Sequence, residues 1–224
     1  MIKGHEQSGF TLLEILVALA LVTIVLMMVA GTSFSSRQNL DEMLNKIERI
    51  VRFAGDEASL KNQFIRLSID LDTEEQRIKL EYADDVNLVL EAPKDNQKNP
   101  DDEIRDDDKK EKKSEVDKSF SSVSDFDSDE FNLPVGVRFV AIGTTLSKSL
   151  IKNSTAPIYF YPTGEKDSAI IIFATDTEIA TIEVRSFGQV IDRNYYKLDE
   201  TNFDIVNEKT LELADGLYKE WLSK

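Results

Sequence analysis

An α+β fold is predicted, with one long N-terminal helix packed on antiparallel β-sheets. Three observations predict it. Residues 15–36 form a run of 22 without a charge. Beyond Arg37, apolar residues recur every three or four positions, the period of a one-sided helix. After Asn62 the period drops to two, the period of half-buried strands.

As a helix, the uncharged run rises about 33 Å, enough to cross a bilayer core of roughly 30 Å. It is too long for a signal-peptide core, and no A-x-A cleavage pattern follows it. It reads as a single-pass anchor. Lys3 and the α-amine ahead of it favour a cytoplasmic N-terminus, with the rest of the chain exported. Glu14 stands at the entry to this run, where a carboxylate is costly. It either lies at headgroup level or meets a cation that only processing creates.

No proline occurs before Pro93. Leu40, Met43, Leu44, Ile47, Ile50, Val51, Ala54 and Ala58 form an apolar stripe, and Arg37, Asp41, Glu42, Lys46, Glu48 and Arg49 fill the opposite face. One helix from about Phe10 to about Leu60 follows, about 75 Å long, with Gly31 and Gly55 as weak points. Its stripe needs a sheet to cover it.

Phe64, Ile65, Leu67, Ile69 and Leu71 alternate with polar residues. Asp72-Thr73-Glu74-Glu75 is a turn, and Ile78, Leu80 and Tyr82 return: an antiparallel hairpin. Further strands are expected at residues 86–91, 131–142, 157–161, 169–174 and 178–185, with a short piece at 189–191. Pro162-Thr163-Gly164 is a turn. Residues 94–130 hold 14 acidic and 8 basic residues. Large apolar residues are sparse there, Ile104, Val116, Phe120 and Phe126 among them, so the tract is expected to be a mobile insert. Residues 192–224 form a C-terminal extension with a short helix at 208–222.

Composition excludes several function classes. The chain has 42 Asp and Glu against 27 Lys and Arg, a net charge of −15. Such a field repels nucleic acid, so no nucleic-acid partner is expected. There is no cysteine and a single histidine, His5, so disulfides, thiolate zinc sites, cysteine nucleophiles and histidine triads are out of reach. Asp125, Asp127 and Asp129 have the spacing of a calcium loop. However, Glu130 stands where the loop needs glycine, and Gly136 where it needs its bidentate glutamate. No metal, no cofactor and no catalytic residue is expected, and the chain is not read as an enzyme.

Lys3-Gly4, followed by Ser8-Gly9-Phe10-Thr11-Leu12-Leu13-Glu14-Ile15-Leu16-Val17-Ala18-Leu19-Ala20, resembles the class III leader and mature start of type IV pilins and type II secretion pseudopilins. The resemblance implies a leader at residues 1–9, cleavage by a prepilin peptidase between Gly9 and Phe10, and N-methylation of Phe10. It also implies a transmembrane helix at 10–36 that continues amphipathically over 37–62. Glu14 would then serve subunit assembly, facing the Phe10 ammonium of a neighbouring subunit.

Phe160-Tyr161-Pro162-Thr163-Gly164, the strands 170–173 and 179–185, and Phe187-Gly188-Gln189-Val190 resemble the H-type pseudopilin and FimT domain, which would span residues 63–191. This resemblance implies a minor pseudopilin of a type II secretion system in the bacterial inner membrane, its domain periplasmic, supporting export of folded proteins. Its partners would be other major and minor pseudopilins, the prepilin peptidase and the inner-membrane assembly platform. Two other readings stand beside it: a FimT-like minor pilin of a type IV pilus, and a membrane-anchored periplasmic binding domain that does not polymerise.

Overall fold

The computed structural model of the chain describes residues 12–72, 76–83, 119–123, 132–147, 149–189, 191–198 and 203–224, without the side chains of 27–35 and 203–207. In chain order the elements are α1 (Leu12–Lys61), β1 (Phe64–Asp70), β2 (Arg77–Ala83), β3 (Ser121–Ser122), β4 (Arg138–Thr144), β5 (Thr155–Phe160), β6 (Ala169–Ala174), β7 (Glu178–Val184), β8 (Ile191–Lys197) and α2 (Phe203–Leu222).

α1 is one helix of 50 residues, about 75 Å long. It runs through both Gly31 and Gly55. Its end is set by Asn62, whose φ of 52° is left-handed, a conformation asparagine tolerates better than most residues. The Gln63 N–H then donates to the Ala58 carbonyl at 3.1 Å, which satisfies one of the last helical carbonyls and turns the chain back as β1.

All eight residues of the predicted stripe are buried. They meet Ile65, Leu67 and Ile69 of β1, Ile158 and Phe160 of β5, and Phe173, Ala180 and Ile182 of the second sheet in one core. Two four-stranded antiparallel sheets supply that cover, in the orders β3-β2-β1-β5 and β4-β6-β7-β8. The hairpin register places Leu67 opposite Leu80 and Ile69 opposite Ile78, which puts the apolar residues of both strands on the helix side.

β6 is Ala-Ile-Ile-Ile-Phe-Ala and is buried on both faces. Ala169, Ile171 and Phe173 point to the main core. Ile170, Ile172 and Ala174 point the other way, where Ala214 and Tyr218 of α2 cover them, with Leu217 and Trp221 alongside. The second sheet therefore lies between two helices.

Several expectations change. The segment 131–142 becomes a strand only at Arg138, because Pro134 to Val137 close a turn. The short piece at 189–191 is the start of a full strand, β8, so the sheet domain does not end at Ile191. β8 lacks apolar alternation because it holds α1 through polar groups. The closing helix begins at Phe203, ahead of 208. The strand expected at 86–91 and most of the tract 94–130 lie outside the described residues.

Within that tract, residues 119–123 are packed, against the expectation of a mobile insert. β3 pairs with β2 at Glu81 and Tyr82. Val123 joins the main core. Phe120, 8% exposed, lies with Ala83 and Tyr159 on the outer face of the first sheet. The Arg66 guanidinium stacks 4.2 Å from the Phe120 ring centroid while pairing with Glu81 at 2.8 Å. The mean composition of the tract hid two anchors with a specific place to go. Phe120→Ala is expected to lower stability by about 2–3 kcal/mol, since it uncovers Tyr159 and the Arg66 stem. Chemical denaturation of the detergent-solubilised chain measures this, and an unchanged midpoint would mean that Phe120 does not pack.

Candidate functional site

The surface that stands out is the first half of α1. Every described side chain from residue 12 to residue 26 is exposed, Leu12 at 79% and Leu26 at 62% among them. An apolar surface of this length needs a partner of its own. Among the described residues, no helix is long and apolar enough to cross a membrane. Glu14 lies in the first turn of α1, where the helix dipole favours a negative charge. Val17 and Ala18 are its neighbours one turn on. Gly9 and Phe10 lie outside the described residues.

Where α1 enters the domain, a polar seam clamps it to the second sheet. The Arg37 guanidinium donates to Glu178 at 2.7 Å and stacks 3.8 Å from the Tyr195 ring centroid, while the Tyr195 hydroxyl donates to Asp41 at 2.9 Å. The Glu178 hydrogen bond raises the Arg37 pKa further. One turn on, Arg193 of β8 donates to Asn45 at 2.9 Å and pairs with Glu48. Burial works against the Glu48 charge, but the Arg193 bond and charge, with Arg52, bring its pKa below the usual carboxylate range.

The opposite end of the domain gathers the two C-terminal motif pieces. Gly164, at φ +86°, closes the Pro162-Thr163-Gly164 turn with its N–H on the Tyr161 carbonyl at 3.0 Å. Gly188, at φ +76°, shapes the loop after β7. The Lys166 N–H donates to the Ser186 carbonyl at 3.0 Å and its ammonium to the Gly188 carbonyl, so the two loops meet. Val190 lies outside the described residues.

Beneath these loops is a carboxylate that sequence reasoning missed. Asp167 accepts from the Tyr159 N–H at 3.0 Å and from the Tyr161 hydroxyl at 3.0 Å. It stands in for a strand and blunts the free edge of β5. Burial raises its pKa, and the two hydrogen bonds offset only part of that. Burial and the Asp167 charge likewise push the Tyr161 hydroxyl up. An aspartate two residues before a continuous apolar strand was the available signal.

A raised native pKa means that the folded chain holds this proton to higher pH than the unfolded chain does. The contribution of Asp167 to stability is therefore largest below about pH 4, the ordinary aspartate range, and declines as pH rises through the native value. Asp167→Asn keeps the shape and removes the titration. The variant is expected to flatten the stability profile in that window; denaturation midpoints at a series of pH values test this, and parallel profiles would remove Asp167 as the source.

Among the described residues, no group of three or more His, Asp or Glu is placed to hold a metal ion. Asp125, Asp127 and Asp129 lie outside them.

Residues 5–30 match the family model of the prokaryotic N-terminal methylation motif. No curated protein and no solved structure matches the chain. That motif is typical of membrane-anchored pilins and implies processing by a prepilin peptidase and assembly with other pilins. With the motif leading into an exposed apolar half-helix, and two antiparallel sheets packed on the other half, the chain is a type IV pilin-like protein.

Proposed function

We propose that this chain is a minor pseudopilin of a type II secretion system, of the H type. In this reading it is a non-catalytic filament subunit that supports export of folded proteins. The observation that carries the reading is the methylation motif running directly into the exposed apolar residues of α1. A subunit that must leave the membrane for a filament needs a helix able to exchange lipid for neighbouring helices. The meeting of the 160–164 turn with the 186–189 loop at the end of α1 supports the H type. The net charge of −15 speaks against the DNA-uptake rival, because phosphate contacts need clustered cations.

In this function the uncharged run 15–36 anchors the chain in the inner membrane, N-terminus in the cytoplasm and domain in the periplasm. Cleavage after Gly9 leaves Phe10 as the methylated terminus. Other pseudopilins and the assembly platform are its partners. N-terminal mass spectrometry of the membrane-extracted protein is expected to find a 215-residue chain that begins at methylated Phe10. An intact Met1 in cells that carry the peptidase would reject the reading.

A further inference from the structure

We propose that the turn Pro134-Val135-Gly136-Val137 rests on the lipid headgroups of the bilayer that α1 enters, with Val135 as its contact; this rests on the reading of α1 as a membrane anchor. Val135 is 89% exposed, a β-branched apolar residue at a turn tip. The turn is closed by the Val137 N–H on the Pro134 carbonyl at 3.1 Å, with Gly136 at φ +80°. Leu133 packs against the core, while Val135 stands clear of it.

The height of the turn is fixed on α1. The Asn39 amide donates to the Val135 carbonyl at 2.9 Å. Asn39 lies three residues past Ser36, the end of the uncharged run, which is about 4.5 Å along the helix. The headgroup zone is about 5–7 Å deep on each side of the hydrocarbon. A turn tied to α1 at this level falls within that zone.

Two other turns lie at this end of the domain. The Gln76 side chain bonds both backbone groups of Phe139, which brings the β1–β2 turn here, and the Arg37–Glu178 pair brings the β6–β7 turn. Those turns carry Asp72 and Asp176, whereas residues 132–137 are uncharged. Zwitterionic lipid, which does not repel an acidic end, is therefore the matching surface. The uncharged turn carries the apolar surface of the helix outward at one point.

The chain has no cysteine, so single-cysteine labelling is clean. Val135→Cys, Phe187→Cys and Leu16→Cys versions of the full chain would each carry an environment-sensitive fluorophore in phosphatidylcholine vesicles with spin-labelled lipids. Phe187 is equally an exposed apolar loop residue, but at the far end of the domain. The expected result is at least twofold stronger quenching at position 135 than at 187 by headgroup-labelled lipid, with 16 quenched by deep labels. Equal quenching at 135 and 187, with 16 still quenched, would overturn this inference and leave the anchor intact. No quenching at 16 would overturn the anchor itself. A response at 135 only after a second pilin is added would also overturn it, and would assign the turn to a neighbouring subunit.

Discussion

Glu14→Ala is expected to leave cleavage and membrane insertion intact while lowering crosslinked co-assembly with partner pilins at least tenfold. The proposed role of Glu14 is to face the Phe10 ammonium of a neighbour. Between helices packed in an apolar filament interior, the two charges attract strongly, and removing one leaves the other buried without compensation. Such a loss costs on the order of 3–5 kcal/mol, and each 1.4 kcal/mol is tenfold in association. Glu14→Gln keeps the side-chain size and loses the charge, so it should behave like the alanine variant. Crosslinking yields in membranes read both. Unchanged yields would remove Glu14 from subunit register and favour a headgroup location.

Gly143→Ala is the second change expected to have a large effect. A Cβ at Gly143 would stand 2.4 and 2.5 Å from two carbons of the Tyr218 ring and 3.1 Å from Ile170 Cγ2. The ring cannot easily yield. Its hydroxyl donates to the Ser147 carbonyl at 3.2 Å, and it stacks on Trp221 at 5.9 Å between centroids. α2 must therefore shift off the sheet, uncovering Ile170 and Ile172. Overpacking alone costs about 1–3 kcal/mol. At about 2–4 °C per kcal/mol for a chain of this size, a melting point lower by about 2–12 °C is expected. Joining it to Tyr218→Ala should cost less than the sum, because both changes act on one contact. Thermal unfolding followed by circular dichroism decides; an unshifted midpoint would mean that Tyr218 does not lie over Gly143.

α1 was legible because its signals are local and long. The uncharged run, the stripe from Leu40 to Ala58 and the change of period at Asn62 each repeat one message over many residues. The β1–β2 hairpin and β6 were legible for the same reason. The rest depends on contacts distant in sequence. β8 has no clean alternation, since Arg193 and Tyr195 meet charged groups on α1 where an apolar core would have left a pattern. Phe120 and Val123 sit in a tract whose mean composition favours a loop; only the outer face of β2 and β5 gives Phe120 a place, and only the main core gives one to Val123. The docking of α2 was half-visible: six apolar residues in a row at 169–174 demand cover on both faces, and the helix at 203–222 supplies it. Of the candidate site, the motifs singled out Glu14 and the two C-terminal turns. Asp167 was not, because a buried carboxylate is recognised by its partners.

The two-residue connection at Asn62 and Gln63 has a mechanical meaning. There α1 reverses into β1, which lies inside its sheet between β2 and β5 and runs antiparallel to both. Ladder hydrogen bonds lie across the strands. A load on the helix thus reaches β1 at its first residues, where ladders on both sides hold the strand in its sheet. The far end of α1 is thereby tied to the middle of the first sheet, so tension along the helix is shared by the strands on either side of β1.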